Sequence, residues 1–328
     1  MTGPTRRRRL LSIDGGGVRG IIPAAAIAAL ERTTGRPARE LFDFMAGTSA
    51  GAVIVAALAA GIPAERIVTL YSERSAAVLR RRPWNLAARI LTGSMYEIGE
   101  LHRLIREELG SEAGDWTLND APLDLLITAK RLADGMPWYF VRDNPANSCR
   151  AGGYRVADAV TGSAAAPTYF QPWLVDGIGL LVDGGTGVAG NPVYQACVEA
   201  FRYSDAYDPA STVVVSLGTG RFLRRARPTW IWPWLEWLLN ELLRSPAEQQ
   251  TELVHRHYPE AAFYRLDVQL ASDIGLDAVD RVDELREMGA AFAGTIDWPA
   301  ILAGTDRDFL VTDASTLSRE YCRVVSVG

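Results

Sequence analysis

Short apolar runs near residues 9–14, 42–47, 123–129, 137–142 and 212–217 predict strands. Between them, longer stretches near 21–32, 50–60, 64–79, 97–109, 156–165, 191–201, 233–257 and 279–293 predict helices. Short apolar strands that alternate with helices argue for an α/β fold. Its central sheet would be mostly parallel, with helices on both faces. In such sheets ligands sit beyond the carboxyl ends of the strands.

Hydrophobic residues make up 48% of the 328 positions, ample for a packed core. No Pro/Ser-rich linker, internal repeat or low-complexity tract divides the chain. A single domain over 1–328 is therefore expected, with a motif-bearing core at about 8–220 and a helical, Trp-rich C-terminal extension at about 221–328. A net charge of −5 gives no general attraction to nucleic acid. The chain holds 33 Arg and one Lys, Lys130, which reads as codon bias. Arg6 to Arg9 form a basic tail, read as a solvated terminus, with contact to anionic lipid heads as the functional alternative. Asp14, a glycine run and Arg19 interrupt any signal-peptide core, and no apolar run is long enough to span a membrane. Cys149, Cys197 and Cys322 are odd in number and widely spaced, and read as reduced thiols of a cytosolic protein.

Three glycine-rich motifs carry the candidate chemistry. Gly47-Thr48-Ser49-Ala50-Gly51 reads G-x-S-x-G between a predicted strand and a predicted helix. Glycines permit a sharp turn that exposes the serine Oγ, and the helix start favours a developing negative charge. Asp14-Gly15-Gly16-Gly17-Val18-Arg19-Gly20 also lies between strand and helix, and backbone N–H groups in a glycine run can converge on an anion. Asp183-Gly184-Gly185 follows the apolar run Leu180-Leu181-Val182, so its carboxylate stands at a strand end.

In this order the three motifs resemble the patatin-like phospholipase family. Gly162 to Pro172 is similar to that family's S-A-A-P-x-x-F segment, and Asn191-Pro192 and Val215 to Gly220 also match family segments. The resemblance covers roughly residues 8–220 and implies the following roles. Ser49 is the nucleophile and Asp183 the base of a Ser–Asp dyad. Gly15, Gly16 and Gly17 form the oxyanion hole, with Arg19 orienting the loop or a substrate phosphate. Asp14 is expected to fix the turn through backbone N–H groups, and Thr48 and Ala50 to fill the elbow. The implied reaction is hydrolysis of carboxylic esters in glycerolipids, with no metal or organic cofactor. Some bacterial members are switched on by cyclic nucleotides, so a small-molecule nucleotide activator belongs among the expected partners.

Three other readings stay open on residues alone. A conventional α/β-hydrolase would use His255 or His257 as base, although His102, His255 and His257 all fall in predicted helices. Gly15-x-Gly17-x-x-Gly20 matches the dinucleotide fingerprint of a nicotinamide or flavin enzyme, but Asp43-Phe44-Met45-Ala46 runs into the serine elbow where an acidic ribose ligand should stand. The third is a non-catalytic lipid-binding protein. The segment Trp230 to Leu243, with four tryptophans in eight residues, reads either as a core helix or as a lipid-facing element. The expected protein is cytoplasmic, touching a phospholipid surface during catalysis.

Overall fold

The computed structural model describes residues 7–79, 94–146, 151–222, 248–305 and 310–312. The Trp230–Leu243 segment, the basic tail before Arg7, Cys149 and Cys322 lie outside them. Among the described residues no helix is long and apolar enough to cross a membrane.

The chain opens with β1 (Arg8–Ile13), a 3-10 turn (Gly17–Gly20) and α1 (Ile21–Thr34). Then come α2 (Ala38–Leu41), β2 (Phe44–Gly47), α3 (Ala50–Ala59), α4 (Ala64–Val78) and α5 (Ile98–Ala113). A hairpin of β3 (Asp124–Arg131) and β4 (Pro137–Val141) leads to α6 (Val156–Ser163). A second hairpin, β5 (Trp173–Val175) and β6 (Gly179–Asp183), is followed by α7 (Val193–Arg202) and β7 (Thr212–Leu217). The remainder holds α8 (248–257), β8 (Ala262–Asp267), α9 (Val282–Ala293), α10 (Trp298–Ala303) and β9 (Leu310–Thr312).

The fold is mixed α/β. β1 lies between β2 and β7, and β3, β8 and β9 extend this parallel set outward on the two sides. β4, β5 and β6 are antiparallel. Alternate residues of each central strand supply two cores. Leu11, Ile13, Met45 and Ile127 face the helices α1, α3 and α6, while Leu10, Phe44, Leu126 and Val214 face α7 and the Val254 side of α8. Each fully buried Leu or Ile contributes about 1.5–3 kcal/mol. That burial holds helices such as α3, whose sequence AGAVIVAALA has almost no polar face.

One detail of register brings the chemical motifs together. β4 pairs with β3 along Leu126–Lys130 and so occupies one edge of that strand. β2 and β6 must therefore share the other edge. β2 pairs up to Ile127 through Gly47, and β6 runs the opposite way and pairs down to Ala129 through Asp183. Their carboxyl ends meet head-on across Thr128. A parallel sheet gathers its carboxyl ends at one side, and the antiparallel β6 delivers Asp183 there as well.

The five predicted strands form where expected, within one or two residues. β5, β8 and β9 lie outside that expectation, and the described part of the C-terminal region adds two strands to the sheet alongside its helices. α7 begins at Val193 rather than 191, because the Asn191 carboxamide oxygen accepts from the Val193 N–H at 3.0 Å and Pro192 cannot donate.

Candidate active site

The first glycine motif forms a backbone cradle beyond β1. Asp14 N–H donates to Leu217 O at 3.0 Å, tying the ends of β1 and β7 together. Gly17 has φ 57°, in the left-handed region, and a Cβ there would strike the Leu276 carbonyl. The same carbonyl accepts from Val18 N–H at 2.9 Å, so the loop is clamped from outside. Gly15 N–H donates to Gly190 O at 3.0 Å, which removes it from the expected set of anion donors. Gly16 and Gly17 N–H have no acceptor among the described residues.

The side chains flanking this loop hold it in place. The Arg265 guanidinium grips both oxygens of Asp14, at 2.9 and 2.5 Å, and also donates to Ser216 Oγ. Asp14 therefore fixes the turn through an arginine on β8, not through backbone N–H groups as expected. Burial pushes Asp14 up to about 6, against the pull of Arg265. Arg19 Nε donates to Gly16 O at 3.4 Å, and burial lowers its pKa against the pull of Asp267 and Asp273.

β2 runs into Ser49, which has φ 53° and ψ −120°, and α3 starts directly after it. A non-glycine residue at positive φ costs about 1–3 kcal/mol and persists only where its surroundings enforce it. Here they do. A Cβ on Gly51 would strike the Ile13 carbonyl, so β1 and α3 approach as closely as backbones can. Ser49 N–H donates to Ser163 Oγ at 2.8 Å, which gives the Gly162–Pro172 block a role in holding the elbow. Thr48 is more than a filler. Its hydroxyl donates to Ala189 O at 2.6 Å and lies 2.7 Å from Thr128 Oγ1, so Thr128 is the donor in that pair. Thr48 thus ties β2 to the loop after Asp183.

Asp183 is 7% exposed, and the Ser49 side chain is near enough to its carboxyl to favour the ionised form. Oδ1 of Asp183 accepts from Gly185 N–H at 2.7 Å. Burial pushes its pKa up to about 6, with the Ser49 side chain and the Gly185 N–H opposing. A Cβ built on Gly15 would lie 3.2 Å from Ser49 Cβ, so the glycine loop passes directly against the elbow. Ser49, Asp183 and the loop of Gly15, Gly16, Gly17 and Arg19 therefore share one place. A hydroxyl, a carboxylate of raised pKa and two backbone N–H groups without a described acceptor are what nucleophile, base and oxyanion donors require.

The histidines sit elsewhere. His102 Nδ1 lies 3.0 Å from Thr161 Oγ1 and its ring stacks on Trp173. His255 packs on Phe263, and His257 Nδ1 lies 2.7 Å from the Tyr194 hydroxyl. Sequence reasoning missed Arg265 and Thr128, which stand in no motif, and it gave Thr48 and Ser163 only their places in the elbow and in the Gly162–Pro172 block, not these bonds.

The family model for patatin-like phospholipase matches residues 11–197. A cGAMP-activated phospholipase of Escherichia coli is 32% identical over 206 residues, covering 60% of this chain and 56% of that protein. One from Vibrio cholerae is 29% identical over 59% of this chain and 58% of its own length. The match thus spans little more than half of either protein. A third, from Pseudomonas aeruginosa, is 32% identical over 83% of this chain and 82% of its own length.

Proposed function

The chain belongs to the patatin-like phospholipase family, and we propose that it is a serine lipid acyl hydrolase acting on carboxylic esters of glycerolipids through a Ser49–Asp183 dyad. The observation that carries this reading is the placement of a buried Asp183 carboxyl beside the Ser49 side chain and against the glycine loop. In the first step Asp183 takes the Oγ proton as Oγ attacks the ester carbonyl carbon. The carbonyl oxygen becomes an oxyanion held by Gly16 and Gly17 N–H. The tetrahedral species collapses, the C–O bond to the alcohol breaks, and Asp183 returns the proton to that leaving oxygen. Water then attacks the acyl-enzyme, gives its proton to Asp183, and the fatty acid leaves as Ser49 is reprotonated.

Two expected results follow from the geometry. Asp183 works as a base only when ionised, and its pKa is about 6, so kcat/KM for a soluble ester rises with unit slope below pH 6 and is flat above it. A profile flat from about pH 4.5 to 8 contradicts the assignment. For the loop, a Cβ on Gly16 would come within 2.5 Å of Thr219 Cβ, so Gly16→Ala forces the backbone to move. The loss of an aligned donor costs roughly 100-fold in kcat, with KM nearly unchanged. A variant with normal kcat places the oxyanion elsewhere.

Cytoplasmic placement with peripheral membrane contact completes the proposal. The relatives named for activation by cGAMP support a further reading, that a cyclic dinucleotide raises turnover. Vesicle-lipid hydrolysis measured with and without cGAMP checks it.

A further inference from the structure

Four of the five exposed large hydrophobic residues among those described lie on two adjacent hairpins. They are Leu132 and Met136 on β3–β4, and Leu174 and Leu180 on β5–β6, at 50, 55, 61 and 44% exposure. Register makes three of them a row. Leu174 pairs with Leu180 in the β5–β6 ladder, and Leu132 N–H donates to Leu180 O at 2.9 Å. Residues paired across a ladder share a sheet face, so Leu132, Leu180 and Leu174 stand side by side. Leu181, one position along, is fully buried on the opposite face. No described helix covers the leucine row.

The next row inward on the same face is Lys130 paired with Val182. These two, with Leu132, Phe170, Pro172 and Thr186, line a cavity of about 380 Å³. Lys130 Nζ donates to Thr186 O at 2.9 Å, which leaves two of its three donors without a described partner. One residue beyond Val182 is Asp183. By strand alternation its side chain lies on the face of Leu181, opposite the leucine row, and the loop that follows it returns to Lys130 through Thr186.

We propose that this face is where a phospholipid bilayer docks, with the leucine row entering the interface and Lys130 meeting the phosphate of the lipid drawn toward Ser49. The proposal rests on the hydrolase reading above and names how its substrate arrives. Charge and position select this occupant. Arg131 is paired with Asp134, so among the described residues the cavity's uncompensated charge is the Lys130 ammonium, complementary to a phosphodiester. Leu132 belongs to both the exposed row and the cavity wall, so the apolar contact is continuous with the cavity that holds Lys130.

The test uses full-length protein carrying Ser49→Ala, which binds without consuming the lipid. Sedimentation with vesicles of phosphatidylcholine and phosphatidylglycerol is compared with the same protein carrying Leu174→Glu and Leu180→Glu. Two leucines replaced by charges are expected to weaken partitioning about tenfold or more. The melting temperature should stay put, and Leu174→Gln alone replaces the pair if it falls. In protein with Ser49 intact, Lys130→Gln should raise KM for vesicle lipid more than it lowers kcat. Unchanged partitioning by the folded glutamate variant overturns the proposal. So does a wild-type dimer that the glutamates dissociate without affecting partitioning, because the face then belongs to a second copy. Vesicle binding without cleavage of any ester by protein retaining Ser49 would instead overturn the hydrolase reading and leave the docking face standing.

Discussion

Replacing Ser49 with alanine is expected to lower ester hydrolysis by roughly 10⁴-fold or more, with the fold intact. The whole proposed sequence passes through Oγ, and the oxyanion donors alone have no nucleophile to serve. Stability should change little. Alanine keeps the strained backbone at φ 53°, and Ser163 Oγ still accepts its N–H. Ser49→Gly separates strain from chemistry. It is equally inactive, yet relief of the positive φ should stabilise it by about 1 kcal/mol. Circular dichroism and a melting curve beside the turnover assay check both. Normal hydrolysis by either variant contradicts the account.

Asp183→Asn should be almost as damaging to turnover, and it should not destabilise the protein at alkaline pH. Asparagine can still accept from Gly185 N–H and donate to Ser49 Oγ, but it cannot take a proton. The sign of the stability effect follows from the raised pKa. With a folded value of about 6 against a usual 3.8, the protonated form is the favoured one in the folded protein. The stabilisation is fully present below the unfolded pKa and is lost as pH rises through 6. At about pH 8 the ionised carboxylate therefore costs about 3 kcal/mol relative to water. The neutral carboxamide of Asp183→Asn escapes that cost, so the variant's melting temperature in mildly alkaline buffer should equal or exceed the wild type's. Single replacements of His102, His255 and His257 should each retain most activity. A well-folded histidine variant that loses turnover, or an active Asp183→Asn, would point to a conventional triad.

Much of this arrangement is legible in the residues because backbone constraints leave marks in sequence. An elbow that brings α3 against β1 admits only glycine at 51, and a loop clamped under Leu276 admits only glycine at 17. Short continuous apolar runs likewise mark β1, β2 and β7. β8 hides for a physical reason. Its sequence AFYRLD carries Arg265 and Asp267 in a buried strand, and charges there break the apolar pattern while they satisfy Asp14 and one another. β5 is three residues long and leaves too short a pattern to read. The meeting of β2 and β6 across Thr128 depends on pairing between segments far apart in the chain, which no local pattern records. The leucine row is invisible for the same reason. Leu132, Leu174 and Leu180 become neighbours only once the two hairpins are in register.

The central claim is that Ser49 forms the acyl-enzyme, and covalent capture tests it most directly. The protein is incubated with an organophosphonate ester, its intact mass is measured, and the modified peptide is sequenced. The account predicts one adduct per chain, on Ser49, formed in step with loss of ester hydrolysis and absent from Ser49→Ala. An adduct on another residue with activity lost, or full inactivation with Ser49 unmodified, would contradict it.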